Sequence, residues 1–234
     1  MSLFRVNAKQ NEKKLLLIFN GWGMDERVFQ QLLPDNIDIL IVSNYTQNNF
    51  TQLKEILPYY SKIKLLSWSM GVLQAQIFFT ENSCFINKID NSVAVNGTLM
   101  PIHNEYGISP DSFKEMADNF DAKEATGFYR RMCGLDFKKF LITRPERSAQ
   151  SQKDELQFLL TINSMFRADD SIYKYAIIST KDVIIPTKNQ CKFWDSSQTV
   201  MIKGSHFPFF KWNDLLECFK FGDEVSGGRA GDNK

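Results

Sequence analysis

Apolar residues along the chain gather into short unbroken runs separated by stretches of helical character. The first run, Leu15-Leu16-Leu17-Ile18-Phe19, stops at Asn20-Gly21-Trp22-Gly23. A continuous apolar run closed by glycine predicts a strand buried on both faces, as parallel sheets require. Residues 25–33 then read as a helix ended by Pro34, 37–42 as a second strand, and 50–57 as a second helix that stops before Pro58. A third strand over 63–68 runs at once into a helix over 70–79, and Val93-Ala94-Val95 ends a fourth strand at Asn96-Gly97. Strand character returns at 175–179 and 199–202, and a closing helix is predicted over 209–219.

This strand-helix alternation predicts an α/β fold with a doubly wound, mostly parallel sheet. The alternation breaks from about Pro101 to Met165, where the pattern is mostly helical and Ser109-Pro110-Asp111 supplies an N-cap, an N1 proline and an acidic first turn. The expected division is therefore a core made of 1–100 and 166–223, a helical lid insertion over 101–165, and a disordered tail over 224–234, which begins Glu224-Val225-Ser226-Gly227-Gly228.

Composition narrows the functional classes. With 234 residues, 43% hydrophobic and 24% charged, the chain can bury a sizeable core. Twenty phenylalanines fit either a lipophilic cavity or an aromatic-rich core. A net charge of +1 argues against nucleic acid or a membrane surface as an obligatory partner. No apolar run has the length needed to cross a bilayer, and Met1 to Lys14 lacks the apolar centre of a signal peptide. Cys84, Cys133, Cys191 and Cys218 show no metal-type spacing and read as reduced, mostly buried thiols of a cytoplasmic protein.

The candidate chemistry sits at the strand ends. Ser67-Trp68-Ser69-Met70-Gly71 lies where a buried strand turns abruptly into a helix, the setting of a nucleophile elbow. Such a turn exposes Ser69, demands small residues two before and two after it, and aims the Met70 N–H and the helix dipole at a developing oxyanion. Read alone, the pentapeptide equally describes a serine N-cap. A serine hydroxyl also needs a base, and the chain has two histidines. His206 follows the last strand and shares the sheet edge of Ser69, whereas His103 reads as a solvated loop residue. Asp182 follows the 175–179 strand at the same edge and would fix the imidazole tautomer. Asp169 and Asp170 precede that strand and belong at the opposite edge. The chain order Ser, Asp, His, each just past a strand, favours catalysis over three unrelated turn residues. The Trp22 N–H in the Asn20-Gly21-Trp22-Gly23 loop is the expected second oxyanion donor. Its alternative reading is a glycine-rich turn chosen for tightness, and its G-x-G is weak evidence for dinucleotide binding. No metal or cofactor is expected.

With these segments in view, the chain resembles the α/β-hydrolase family over nearly its whole length and, more narrowly, the BioG-type pimeloyl-acyl-carrier-protein methyl ester esterases of biotin synthesis. The narrower resemblance is carried by Phe19-Asn20-Gly21-Trp22-Gly23-Met24-Asp25, by Ser67-Trp68-Ser69-Met70-Gly71-Val72 and by Ala94-Val95-Asn96-Gly97-Thr98. It continues through Phe128-Tyr129-Arg130-Arg131-Met132-Cys133, Lys181-Asp182 with Pro186, and Gly204-Ser205-His206-Phe207-Pro208. Two positions depart from common hydrolase patterns, Ser67 at the first elbow glycine and Asn20 where a histidine often stands. The resemblance implies hydrolysis of the methyl ester at the far end of a carrier-bound pimeloyl chain.

An acidic acyl-carrier protein is then the expected partner. Between 128 and 147 six basic residues, among them Arg130, Arg131, Arg144 and Arg147, face two acidic ones, a local excess of +4. Phe128 and Tyr129 would line the acyl channel. A solvated helix face of mixed charge explains the same excess. Two other functions fit the sequence, a broad small-ester or thioester hydrolase using the same residues and a non-catalytic binding protein of this fold.

Overall fold

The computed structural model describes residues 1–7, 13–47, 49–162 and 164–222. Seven strands form one sheet in the order β1-β3-β2-β4-β5-β6-β7. These are β1 (Ser2–Val6), β2 (Lys14–Phe19), β3 (Asp38–Ser43), β4 (Lys62–Trp68), β5 (Ile89–Val95), β6 (Tyr175–Ser179) and β7 (Thr199–Ile202). Only β1 runs antiparallel, and it forms an edge beside β3. The expected doubly wound sheet is thus present, with one strand the apolar pattern did not reveal. β1 is half-buried with Arg5 exposed in its middle, so it carries no continuous apolar run.

Burial on both faces explains the strand composition. Leu16 and Ile18 of β2 point into one apolar layer with Leu66, Val93 and Ile177, while Leu15, Leu17 and Phe19 point into the other with Leu65, Ala94 and Ile178. Two helices belong to the first half of the chain, α1 (Thr51–Ile56) and α2 (Gly71–Glu81). The expected helix over 25–33 is a 3-10 helix, Glu26–Leu32, started by Asp25, whose side chain accepts from the Arg27 N–H. The segment between β5 and β6 holds α3 (Pro110–Asn119), α4 (Ala122–Cys133), the single turn α5 (Phe137–Phe140) and α6 (Ala149–Leu160). Ser109 caps α3 as its sequence predicts. A further helix, α7 (Thr187–Phe193), follows β6, and the predicted closing helix is two 3-10 turns, Phe209–Lys211 and Leu215–Phe219. Asp214 breaks that helix, because its carboxylate accepts from the Leu216 N–H and starts the second turn afresh. The tail over 224–234 lies outside the described residues.

Candidate active site

At the end of β4 the chain reverses into α2 within two residues, and Ser69 sits at the apex with φ +55°. A non-glycine residue holds this left-handed conformation only where its surroundings enforce it. Here the Ser69 N–H donates to the Val95 carbonyl at 3.0 Å, and the Ser69 carbonyl accepts from Val72 at 3.1 Å. The turn requires glycine at 71, since a Cβ there would stand 2.2 Å from the Phe19 carbonyl oxygen. The position two before the serine is less restrictive, and Ser67 is accommodated fully buried.

His206 and Asp182 meet Ser69 at this edge. His206 Nε2 lies 2.8 Å from Ser69 Oγ, and Nδ1 lies 2.7 Å from Asp182 Oδ2. All three residues are buried. Asp182 Oδ1 accepts the N–H groups of Ile184 and Ile185 at 2.9 and 3.1 Å, and Oδ2 also accepts from Gln190 Nε2 at 2.8 Å. Each oxygen of the buried carboxylate is thereby satisfied, and the charge beside the imidazole is held in one orientation.

The histidine loop is fixed by Asn96, which the sequence offered as a strand end and as part of the family-like segment 94–98 but not as a residue of the site. Asn96, at φ +45° just past β5, accepts from the Ser179 N–H at 2.7 Å and donates to Ser179 Oγ at 2.8 Å and to the His206 carbonyl at 2.9 Å. Trp68 Nε1 donates to the same carbonyl at 2.9 Å. The signal available in the sequence was an amide residue ending a buried apolar strand, where an unpaired side chain would be costly.

In the loop after β2, the Gly21 N–H donates to Asn20 Oδ1 at 2.9 Å and the Gly23 N–H to Glu155 Oε2 at 3.0 Å. The intervening Trp22 N–H is left without a partner among the described residues, as is that of Met70 at the start of α2. Trp22, Met70, Ser69 and His206 share an inner cavity of about 10 Å³, completed by Gly21, Trp68, Phe113 and Met132 together with Ile108, Met116, Phe128 and Ile184. The last four side chains also line an outer cleft of about 550 Å³ between α3 and α4. Ile108, Met116, Phe128 and Ile184 thus form an apolar boundary that the inner cavity at Ser69 and the outer cleft share.

The other predicted residues divide. Phe128 lines both cavities. Tyr129, expected in the channel, lines neither of these two cavities; its hydroxyl accepts from Gln152 Nε2 at 2.7 Å and its ring packs on Phe140. Arg130, Arg131 and Arg144 are exposed, with Arg130 over the Phe137 ring and Arg131 on the outer cleft. Arg147 is not on an open face. Its guanidinium is paired with the buried Glu155 carboxylate and donates to Asn44 Oδ1 at 2.7 Å, so it is no docking residue. His103 stacks on Tyr106 and lies on a separate cleft between α6 and the loop after β5, which Met70 and Leu73 at the start of α2 also border. Cys133 and Cys218 are buried whereas Cys84 and Cys191 are exposed, so half the thiols depart from the expected burial. Among the described residues no group of three or more histidine, cysteine or acidic side chains could hold a metal, and no helix is long and apolar enough to cross a membrane.

Residues 5–218 match the family described as pimeloyl-ACP methyl esterase BioG. A malonyl-[acyl-carrier protein] O-methyltransferase from Bacteroides fragilis is 33% identical over 199 residues, 83% of this chain but 40% of that protein. The chain thus spans less than half the length of that relative. The crystal structure of selenomethionine BioG from Haemophilus influenzae shares 26% identity and a TM-score of 0.82, covering 94% of this chain and 100% of that one. A deep-sea metagenome α/β hydrolase, 14% identical, has a TM-score of 0.59 over 100% of this chain and 94% of its own. The architecture is that of the α/β-hydrolases.

Proposed function

The chain belongs to the pimeloyl-ACP methyl esterase BioG family, and from that premise we propose that it hydrolyses the methyl ester of a pimeloyl chain carried on an acyl-carrier protein, through an acyl-Ser69 intermediate. The observation that carries the reading is the continuous hydrogen-bonded series from Ser69 Oγ through His206 to Asp182, at 2.8 and 2.7 Å. In the first step Ser69 Oγ attacks the ester carbonyl while His206 Nε2 takes its proton. The oxyanion settles on the N–H groups of Trp22 and Met70. Collapse breaks the bond to the methoxy oxygen, which takes the proton from the imidazolium and leaves as methanol. Water, deprotonated by His206, then attacks the acyl-serine, and Ser69 Oγ leaves with the proton returned by the imidazolium, which frees the carboxylic acid and restores the enzyme. Asp182 holds Nδ1–H and stabilises the imidazolium without itself being protonated.

Residues 101–165 act in this reading as a lid, and the acyl chain reaches Ser69 from the outer cleft past the apolar side chains that the two cavities share. Exposed Arg130, Arg131 and Arg144 on that segment face an acidic carrier. The test is direct. Pimeloyl-carrier-protein methyl ester should be converted to the free acid with release of methanol, and a fluorophosphonate should label Ser69 and nothing else. A folded protein that hydrolyses small esters equally well and ignores the carrier would leave the broad-esterase reading, and one that is never labelled at Ser69 would leave a binding protein.

A further inference from the structure

Helix α6 carries Gln152, Leu156 and Leu159 on its buried face, and Glu155 stands among them, fully buried. A carboxylate on such a face is costly unless its oxygens are occupied. Oε2 accepts the Gly23 N–H at 3.0 Å and Oε1 accepts the Tyr45 N–H at 2.9 Å, while the Arg147 guanidinium neutralises the charge. Gln152, one turn earlier, donates from Nε2 to the Gly23 carbonyl at 2.8 Å, and its own backbone carbonyl accepts from Trp22 Nε1 at 2.8 Å. Tyr45 completes the set from below, donating its hydroxyl to the Asn20 carbonyl at 2.9 Å. Burial, with the Glu155 charge beside it, pushes the Tyr45 phenol well up, so it stays a donor.

The loop between Asn20 and Met24 is therefore clamped on both sides of Trp22. Asn20 Oδ1 holds the Gly21 N–H and Glu155 holds the Gly23 N–H, which leaves the N–H between them unpaired on Trp22, a residue that lines the cavity shared with Ser69 and His206. We propose that Glu155 is a positioning residue for ester hydrolysis: reaching across from α6, its carboxylate sets the direction of the Trp22 N–H as an oxyanion donor. The clamp also fixes α6 to the sheet edge, so the lid segment cannot lift on that side without misaligning the oxyanion donor. Substrate accordingly enters between α3 and α4, through the cleft lined by Met116, Phe128 and Arg131. This inference rests on the serine-hydrolase reading above.

Its test uses an inhibitor that resembles the tetrahedral state. A trifluoromethyl ketone adds to the serine hydroxyl and places an oxyanion where the reaction does. Wild type should bind it tightly and Ser69→Ala should not; if Ser69→Ala binds equally well, the serine-hydrolase reading itself fails. Given that control, kcat/KM on a small chromogenic ester and Ki for the ketone are measured in Glu155→Gln and Glu155→Asp. Glutamine cannot accept from both N–H groups, and aspartate keeps the charge but is too short to reach both. Outright loss of an oxyanion donor costs about 10²–10³-fold in other enzymes, so misdirection here should cost about 10–10²-fold. The expected result is that Ki rises by the factor by which kcat/KM falls, with KM and the pH midpoint of kcat/KM unchanged. A merely structural carboxylate would lower the active fraction, leaving Ki at its wild-type value. If Glu155→Gln does not fold, Glu155→Asp decides. Wild-type Ki in either folded variant overturns the proposal, whatever its turnover.

Discussion

Ser69, His206 and Asp182 lie on three separate loops, yet each is held by contacts outside the series. The serine is fixed by the Val95 carbonyl, the aspartate by Ile184, Ile185 and Gln190, and the histidine backbone by Trp68 and Asn96. If the three act as one unit, their losses do not add. Ser69→Ala and His206→Ala should each abolish most turnover on a small ester, and the double variant should be little worse than either. Additive losses would assign the two residues separate tasks. Asp182→Asn should cost on the order of 10⁴-fold, by analogy with the same change in another triad, because the amide favours the wrong imidazole tautomer. The thiols give a second prediction at this scale. Burial pushes the Cys133 and Cys218 thiols far up and the Cys191 thiol less so. A raised thiol needs a higher pH to form the reactive thiolate. Iodoacetamide at mildly alkaline pH should therefore modify exposed Cys84 and Cys191, and reach Cys133 and Cys218 only on unfolding. Mass spectrometry of the intact and denatured protein checks the order. Early modification of Cys133 would mean that α4 opens in the native state.

At the scale of elements, the turn from β4 into α2 carries the strictest local demand. A methyl group at position 71 would meet backbone rather than a movable side chain, 2.2 Å from the Phe19 oxygen and 2.5 Å from that of Asn20. Gly71→Ala should destabilise the protein by about 3 kcal/mol or more, the range of severe overpacking. Ser67→Gly, by contrast, should cost only about 0.5–1 kcal/mol, the usual penalty for glycine inside a strand. Urea unfolding compares the two, and equal losses would show that the elbow constrains both sides alike. The buried strands were legible because a two-faced parallel sheet writes itself as an apolar run, as in Leu15 to Phe19. The same rule hid half of β5, whose first residues, Ile89 to Ser92, are mostly polar, the first three of them not fully buried. It hid β1 as well. The three candidate catalytic residues could be read because strand ends converge on one edge whatever the loops between them contain. Asn96 and Glu155 could not be assigned that way, since their partners are 83 and 132 residues distant. Arg147 misled for the same reason. A local count of charge cannot see the Glu155 that neutralises it.

On the scale of the whole molecule, that burial changes the docking surface without removing it. Arg130, Arg131, Lys138, Lys139 and Arg144 remain exposed between 128 and 147, facing Asp136 and Glu146, an excess of +3. Glu146 is itself paired with Arg27 at 2.7 Å. Two of the cations lie over aromatic rings, Arg130 over Phe137 and Lys139 over Phe210, which restrains them and lowers the cost of ordering them against a partner. Arg131 also lines the outer cleft, which shares four side chains with the Ser69 cavity, so a carrier held by these charges would present its acyl chain at that cleft. Attraction between such a face and an acidic carrier acts mainly on encounter and weakens with salt. Replacing Arg130 and Arg131 together by glutamate should raise KM for the carrier-bound ester by about 10-fold or more at low ionic strength, with a much flatter dependence on salt. A small free ester meets no carrier and should be hydrolysed at nearly the wild-type rate. Arg147→Glu makes the opposite prediction, because it places a second carboxylate against buried Glu155 and should impair both substrates together. Equal impairment of both substrates in the Arg130, Arg131 variant would mean that these arginines, like Arg147, support the fold or the site rather than the partner.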